Sequence, residues 1–157
     1  MFELDTDSAV HRYLSGIGGP RPISLADSEA TIHFIQAQYA TNGTGRWAVT
    51  LRRTGEFMGW AGLKLVAGPV NGQRDFYDLG YQFILRYWGQ GYGYEAALAW
   101  LRIGFDTLKV SRICAYADVA NAGSRRILAK IGLREGNEFE EGGTACVWYE
   151  AKNPAER

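Results

Sequence analysis

Apolar residues near the start of the chain recur at helical spacing. Val10, Tyr13 and Leu14 follow Asp7 and Ser8, either of which suits a helix cap. Ser15-Gly16-Ile17-Gly18-Gly19-Pro20 breaks that helix. Ser24-Leu25-Ala26-Asp27 has the form of a capping box with Asp in place of the usual Glu. The helix it opens is predicted to bury Ile32, Ile35 and Tyr39 and to stop near Asn42-Gly43. The period then shortens to two. Trp47, Val49 and Leu51 alternate within residues 46–51, and residues 57–66 are apolar around Gly59 and Gly62. Thr54-Gly55 in the short spacer joins the two as a hairpin. After the turn at Gly68-Pro69-Val70-Asn71-Gly72, residues 75–85 return as a third strand.

A helical stripe of Ala97, Leu98, Leu101, Phe105 and Leu108 runs through residues 94–108. Residues 112–118 alternate as a strand, residues 124–131 form a short helix closed by Gly132, and residues 133–139 and 144–151 form a terminal hairpin around Gly142-Gly143. An antiparallel meander followed by helix, strand, helix and hairpin makes an α/β (α+β) chain with a mixed sheet.

The length of 157 residues suits one domain spanning 1–157. A chain of that size buries roughly two-thirds of its unfolded surface without staples. Seventeen basic side chains balance seventeen acidic ones, so nucleic acid is not an expected partner. Cys114 and Cys146 lie in apolar strand-like runs and read as reduced core thiols. Two His and two well-separated Cys have no metal-ligand spacing, so no metal is expected. The start, Met1-Phe2-Glu3-Leu4-Asp5, has no charged-then-apolar leader, and no apolar run approaches the roughly 20 residues of a span. A cytoplasmic protein without membrane contact is the expectation.

The segment Tyr87-Trp88-Gly89-Gln90-Gly91-Tyr92-Gly93-Tyr94-Glu95-Ala96 changes the picture most. It lies between a strand and a helix. Its glycines let backbone N–H groups turn toward one point and let a ligand come close. The helix start adds free donors and a partial positive charge. The combination suits a phosphate or pyrophosphate. A nicotinamide dinucleotide is the natural rival. Against it, the spacing is Gly-x-Gly-x-Gly, and Asp118 falls well beyond the roughly 20-position offset of a ribose-binding acid. A meander also precedes the loop where a dinucleotide fold has alternating strands and helices.

Taken with Asn121-Ala122-Gly123-Ser124 and Lys130-Ile131-Gly132-Leu133, the stretch from Trp88 to Ala96 resembles the acetyl-CoA loop of the GNAT N-acetyltransferases. Its Trp-Gly-x-Gly-Tyr opening is similar to the ribosomal-protein-alanine acetyltransferase (RimJ/RimL) branch. Asp78-Leu79-Gly80-Tyr81 and Gly55-x-x-x-Gly59-Trp60-x-Gly62-Leu63 are similar to that branch too. The resemblance runs from about residue 2 to residue 149. Two departures stand out. Gly93 occupies a position that is often Ala, and relatives usually begin with a strand that pairs with the one around Trp47. The resemblance therefore implies a GNAT-like, mostly antiparallel sheet with helices on both faces and its first strand missing. An exposed edge follows, and a homodimer covering it is one arrangement this leaves open.

The activity implied is transfer of an acetyl group from acetyl-CoA, as cosubstrate, to a primary amine, either a protein N-terminus or a small amine. The alternative is a non-catalytic module that keeps the fold and binds CoA or a partner protein. By resemblance, Trp88, Gly89, Gln90, Gly91, Tyr92, Gly93 and Tyr94 form the cofactor loop. The pantetheine arm lies between strands that splay apart, here residues 81–85 and 113–118, and meets backbone groups of Phe83 and Ile84. Asn121 holds a pantetheine amide or caps its helix, and Ser124 serves the leaving thiolate. Asp78 matches the position of a general base, with Glu138, Glu140 and Glu141 as weaker alternatives. Residues 15–21, the turn after Val66 and the hairpin near Glu141 shape the acceptor site and carry no readable code for the acceptor.

Overall fold

The computed structural model describes residues 1–14 and 24–156. The predicted helix break at 15–20 and the acceptor loop at 15–21 lie outside the described residues.

Two short helical turns open the chain, α1 (Phe2–Thr6) and α2 (Ser8–His11). Asp7 caps α2, its Oδ1 accepting the Ala9 N–H at 2.8 Å. Helix α3 (Leu25–Asn42) starts at the expected capping box: Ser24 Oγ accepts the Asp27 N–H, and Asp27 Oδ2 accepts the Ser24 N–H at 3.0 Å. It ends at Gly43, whose φ of 69° is the left-handed conformation that glycine adopts without strain.

Six strands form one sheet in the order β1-β2-β3-β4-β6-β5. Strands β1 (Arg46–Thr50), β2 (Phe57–Val66) and β3 (Phe76–Phe83) are the antiparallel meander. Strand β4 (Arg112–Asp118) joins β3 in parallel, and β6 (Thr144–Lys152) lies antiparallel between β4 and β5 (Arg134–Glu141). Among the described residues nothing pairs with the outer edge of β1, in keeping with the exposed edge expected.

Side chains alternate across the sheet. Leu63, Leu79, Ile113, Ala115, Ala117 and Val147 point to the face covered by α4 (Tyr92–Arg102) and α5 (Ala122–Lys130), where Ala97, Leu101, Phe105 and Leu128 complete the main core. The opposite face carries Trp60, Lys64, Asp78, Gly80, Gln82 and Tyr116. There Leu4 and Val10 pack with Ile84 in a smaller cluster.

Four expectations are corrected. Helix α3 does not bury Ile32: only Ser28 is buried, Ile32 is exposed, and Ile35 and Tyr39 are half-buried. The helix is tied down by polar contacts, Ser28 Oγ donating to Asp5 Oδ2 at 2.6 Å and the Tyr39 hydroxyl donating to Arg46 O. The third strand stops at Phe83 because Leu85–Tyr87 turn as a short 3-10 helix. The helix expected at 94–108 begins at Tyr92 and continues past Arg102 as a π turn, Ile103–Thr107. A Cβ on Gly104 would lie 2.5 Å from Ile113 Cδ1 and 2.7 Å from Leu63 Cδ1, so glycine permits the close approach of this turn to the sheet. Finally, the strand expected to end at Phe139 runs on to Glu141, and the weaker base alternatives Glu138 and Glu140 are exposed on it.

Candidate active site

The loop between β3 and α4 is built as a backbone surface. Gly89 and Gly91 have φ of 71° and 89°, a region closed to most side chains, and a Cβ on either would meet nothing within 4 Å. Backbone conformation, not crowding, therefore calls for glycine here. The larger loop residues fasten the loop from behind. Trp88 Nε1 donates to Phe83 O at 2.7 Å, and Gln90 Nε2 donates to Arg86 O at 2.7 Å. Gly91 is the N-cap of α4, and among the described residues no side chain caps this helix. The first-turn N–H groups of α4, which have no partner within the helix, are left available to an anion. Gly93 packs against Ile127, and Tyr94 lies under Lys130 Nζ at 4.5 Å from its ring. Tyr92 meets Tyr87 edge-on.

Strands β3 and β4 open beside this loop. They pair only at Tyr77 with Ile113 and Asp78 with Cys114. Beyond that point β3 follows β2 as far as Phe83, while β4 follows β6 as far as Asp118. The facing edges of the two strands diverge, so their backbone groups can receive an extended ligand as an added strand. Phe83 and Ile84, expected to contact the pantetheine arm, are both buried at the far end of β3. Ile84 N–H donates to Met58 O at 2.9 Å, its carbonyl accepts from Tyr87 N–H, and Phe83 O receives Trp88. Those groups already hold the loop in place.

A cavity of about 620 Å³ lies between the open strands and the α1–α3 layer. It brings together Asp78, Asn121 and Ser124 with Arg46, Lys64 and Tyr81. None of the loop residues Trp88 to Tyr94 lines it. Asn121 Oδ1 caps α5 by accepting the Ser124 N–H at 3.0 Å. The Ser124 hydroxyl lies 3.0 Å from the Tyr81 hydroxyl. Burial pushes the Tyr81 phenol up to about 12, against the lowering effect of its Ser124 hydrogen bond, so it stays protonated across the neutral range. A neutral phenol and a hydroxyl thus point from opposite walls to one place.

Asp78 is only 7% exposed. Its Oδ2 accepts from Arg46 Nη2 in a buried ion pair, and Arg46 Nη1 donates to the Asp78 carbonyl at 2.7 Å and to Gly62 O. The Arg46 guanidinium also sits over the Trp60 ring, 5.2 Å from its centroid. Gly80 makes room for it, since a Cβ there would lie 2.6 Å from Arg46 Cζ. Lys64 stands directly opposite Asp78 in the β2–β3 register. Burial and Arg46 hold the Lys64 amine below the ordinary lysine range, while Asp78 opposes them. Two further cavity atoms, Gln38 Oε1 and Gln82 Nε2, are buried with no hydrogen-bond partner among the described residues.

Arg46 and Lys64 have no signal in the sequence as site residues, and Tyr81 entered only as part of the Asp78-Leu79-Gly80-Tyr81 motif, without a role. Arg46 reads as the first residue of a strand and Lys64 as a break in an apolar run. The even spacing of Trp60, Gly62 and Lys64 on one face of β2, opposite Asp78, Gly80 and Gln82 on β3, was the available hint. Among the described residues no group of His, Cys, Asp and Glu could hold a metal ion, and no helix is long and apolar enough to cross a membrane.

Comparisons with known proteins agree with this architecture. The chain is 30% identical to an uncharacterised protein, YkkB, of Bacillus subtilis, over 96% of this chain and 83% of that one. A GNAT-family acetyltransferase from Bacillus anthracis has the same fold, with a TM-score of 0.78 and 23% identity over 98% of this chain and 87% of the other. So does the aminoglycoside acetyltransferase AAC(6')-Ib, solved in complex with coenzyme A, with a TM-score of 0.76 and 19% identity over 98% and 88% of the two chains. The acetyltransferase (GNAT) domain model matches residues 1–134, and with the open strands and the glycine loop already in place, the chain belongs to that family of acyltransferases.

Proposed function

We propose that this chain, as a single domain, transfers the acetyl group of acetyl-CoA to a primary amine. The observation that carries the reading is the divergence of β3 and β4 beyond Asp78 and Cys114 beside an uncapped, glycine-led helix. The amides from Gly89 to Gly93 and the α4 N-terminus receive the diphosphate. The pantetheine arm runs along the open edge of β3 toward the cavity, with Asn121 near its amides. There the thioester carbonyl meets the acceptor.

The neutral amine attacks the carbonyl carbon, a C–N bond forms, and the C–S bond breaks. The Ser124 hydroxyl, backed by Tyr81, donates a hydrogen bond to the sulfur as the C–S bond breaks, and CoA leaves as the thiolate, which solvent protonates. Asp78 Oδ1 carries no hydrogen bond among the described residues and is the acceptor for the amine's proton, while Arg46 holds the carboxylate in place through Oδ2. The similarity of Trp88-Gly-Gln-Gly-Tyr92 and Asp78-Leu-Gly-Tyr81 to the RimJ/RimL branch favours a member of that subgroup, with a protein N-terminus or a small amine as acceptor. Thiol release from acetyl-CoA, measured across a panel of peptides, amino acids and polyamines, tests the reading. Release with one amine class supports it. Stabilisation by acetyl-CoA without release for any acceptor would leave only a CoA-binding module.

A further inference from the structure

The acceptor wall of the cavity holds two opposite charges that do not satisfy each other. Lys64 and Asp78 face one another across β2 and β3, where Cβ atoms of opposed residues lie about 4.5–5.5 Å apart. Yet Asp78 takes Arg46 as its ion-pair partner, and Lys64 has neither hydrogen bond nor ion pair among the described residues. Both line the cavity. A half-buried ammonium with no hydrogen-bond partner is costly, and a ligand anion would offset that cost. Burial depresses the Lys64 amine in the direction expected of such a site. The wall thus presents an open carboxylate oxygen and an open ammonium on neighbouring strands.

The other charged groups along the cavity do not cancel this pair. Asp5 is engaged by Ser28 Oγ, and Asp118 Oδ1 accepts the Ala120 N–H at 2.7 Å. Arg46 is held by Asp78, two carbonyls and the Trp60 ring. Tyr116, next along the same face of β4 beyond Cys114, adds a phenol that burial keeps protonated.

We infer that the acceptor is a small amine with a carboxylate beside it, an α-amino acid or close analogue, whose nitrogen is received by Asp78 Oδ1 and whose carboxylate is received by Lys64 Nζ. This rests on the acetyl-transfer reading above and narrows it. A polyamine would bring a second cation against Lys64. A protein N-terminus would offer a peptide carbonyl where the ammonium calls for an anion. Lys64 is then a specificity-determining residue.

The test compares free α-amino acids with their carboxamides as acceptors, in the wild type and in Lys64→Gln. A charge-assisted contact of this kind sets the acid-to-amide ratio of kcat/KM at about 10- to 100-fold. That ratio is expected to fall close to one in Lys64→Gln and to return in part in Lys64→Arg, with the thermal shift by CoA as the folding control. A second arm does not depend on turnover: calorimetric titration of N-acetyl amino acids and their amides in the presence of CoA. A preference for the carboxylate that Lys64→Gln removes supports the inference even if no amine is acetylated. Transfer that favours amides, peptides or polyamines, or an acid-to-amide ratio indifferent to Lys64, overturns it while leaving the acetyltransferase reading intact. Absence of both transfer and a Lys64-dependent carboxylate preference overturns both.

Discussion

The two faces of the sheet are built on opposite plans. On one face α4 buries Ala97 and Leu101, and its π turn buries Phe105, against Leu63, Leu79 and Ile113 in a continuous apolar core. On the other, the longer helix α3 buries only Ser28 and leaves Phe34 65% exposed, with a cavity of about 620 Å³ beneath it. The packed face carries the glycine loop and α5, whose Ser124 reaches the edge of the cavity. The open face holds Arg46, Lys64 and Asp78, where polar groups and space matter more than apolar contact. Apolar packing is concentrated beside the glycine loop, and room beside Arg46, Lys64 and Asp78.

Breaking this contrast at its chemical centre should give the largest effect. Tyr81→Phe combined with Ser124→Ala is expected to lower kcat by about 10²- to 10⁴-fold, read as thiol release at saturating acetyl-CoA. The raised phenol of Tyr81 loses its proton only near pH 12, so the wild-type rate should show no alkaline loss from this group between about pH 8 and 10. A wild-type rate in the double variant would remove both hydroxyls from the mechanism.

Next in size is the buried ion pair. Arg46→Met leaves the buried Asp78 carboxylate without its hydrogen-bonded ion-pair partner, with only Lys64 nearby, a loss of up to about 3–5 kcal/mol by urea unfolding. Adding Asp78→Leu should restore most of that stability without restoring transfer. If the single variant is as stable as the wild type, the pair does not organise this face.

The helices themselves sharpen the comparison. Leu101→Ala in α4 should cost about 2–5 kcal/mol, while Phe34→Ala in α3 should stay within about 0.5 kcal/mol. Equal losses would mean that α3 is packed as α4 is.

The smallest effect concerns the buried thiols. Burial pushes Cys114 up to about 12 and Cys146 up to about 11 from an ordinary 9.0. Their contribution to stability is therefore complete below pH 9 and declines as pH rises through those values, because the unfolded thiols lose protons first. A melting temperature that falls gently above pH 9, together with native thiols that resist labelling until denaturant is added, is the expected result.

Much of the framework was legible in the chain. The Ser24–Asp27 capping box, the end of α3 at Gly43, the hairpin from β1 to β2 and the strand at Arg112–Asp118 all formed as expected. Each depends on residues within a few positions of one another, so local pattern suffices. Helix α3 misled because its apolar spacing suggested burial, whereas it leaves Ile32 exposed and is held in part by polar contacts to Asp5 and Arg46.

What the sequence by itself determined was most of the elements and a glycine loop whose backbone takes the left-handed conformation that glycine favours. The resemblance implied that β3 and β4 part; tertiary structure decided that they do so after one short paired stretch, that Arg46 meets Asp78, and that Lys64 stands beside them without a hydrogen-bond partner among the described residues. The reason is register. Arg46, Lys64 and Asp78 are far apart in sequence and come together only when three strands align, and no local pattern records which residues an alignment will place face to face.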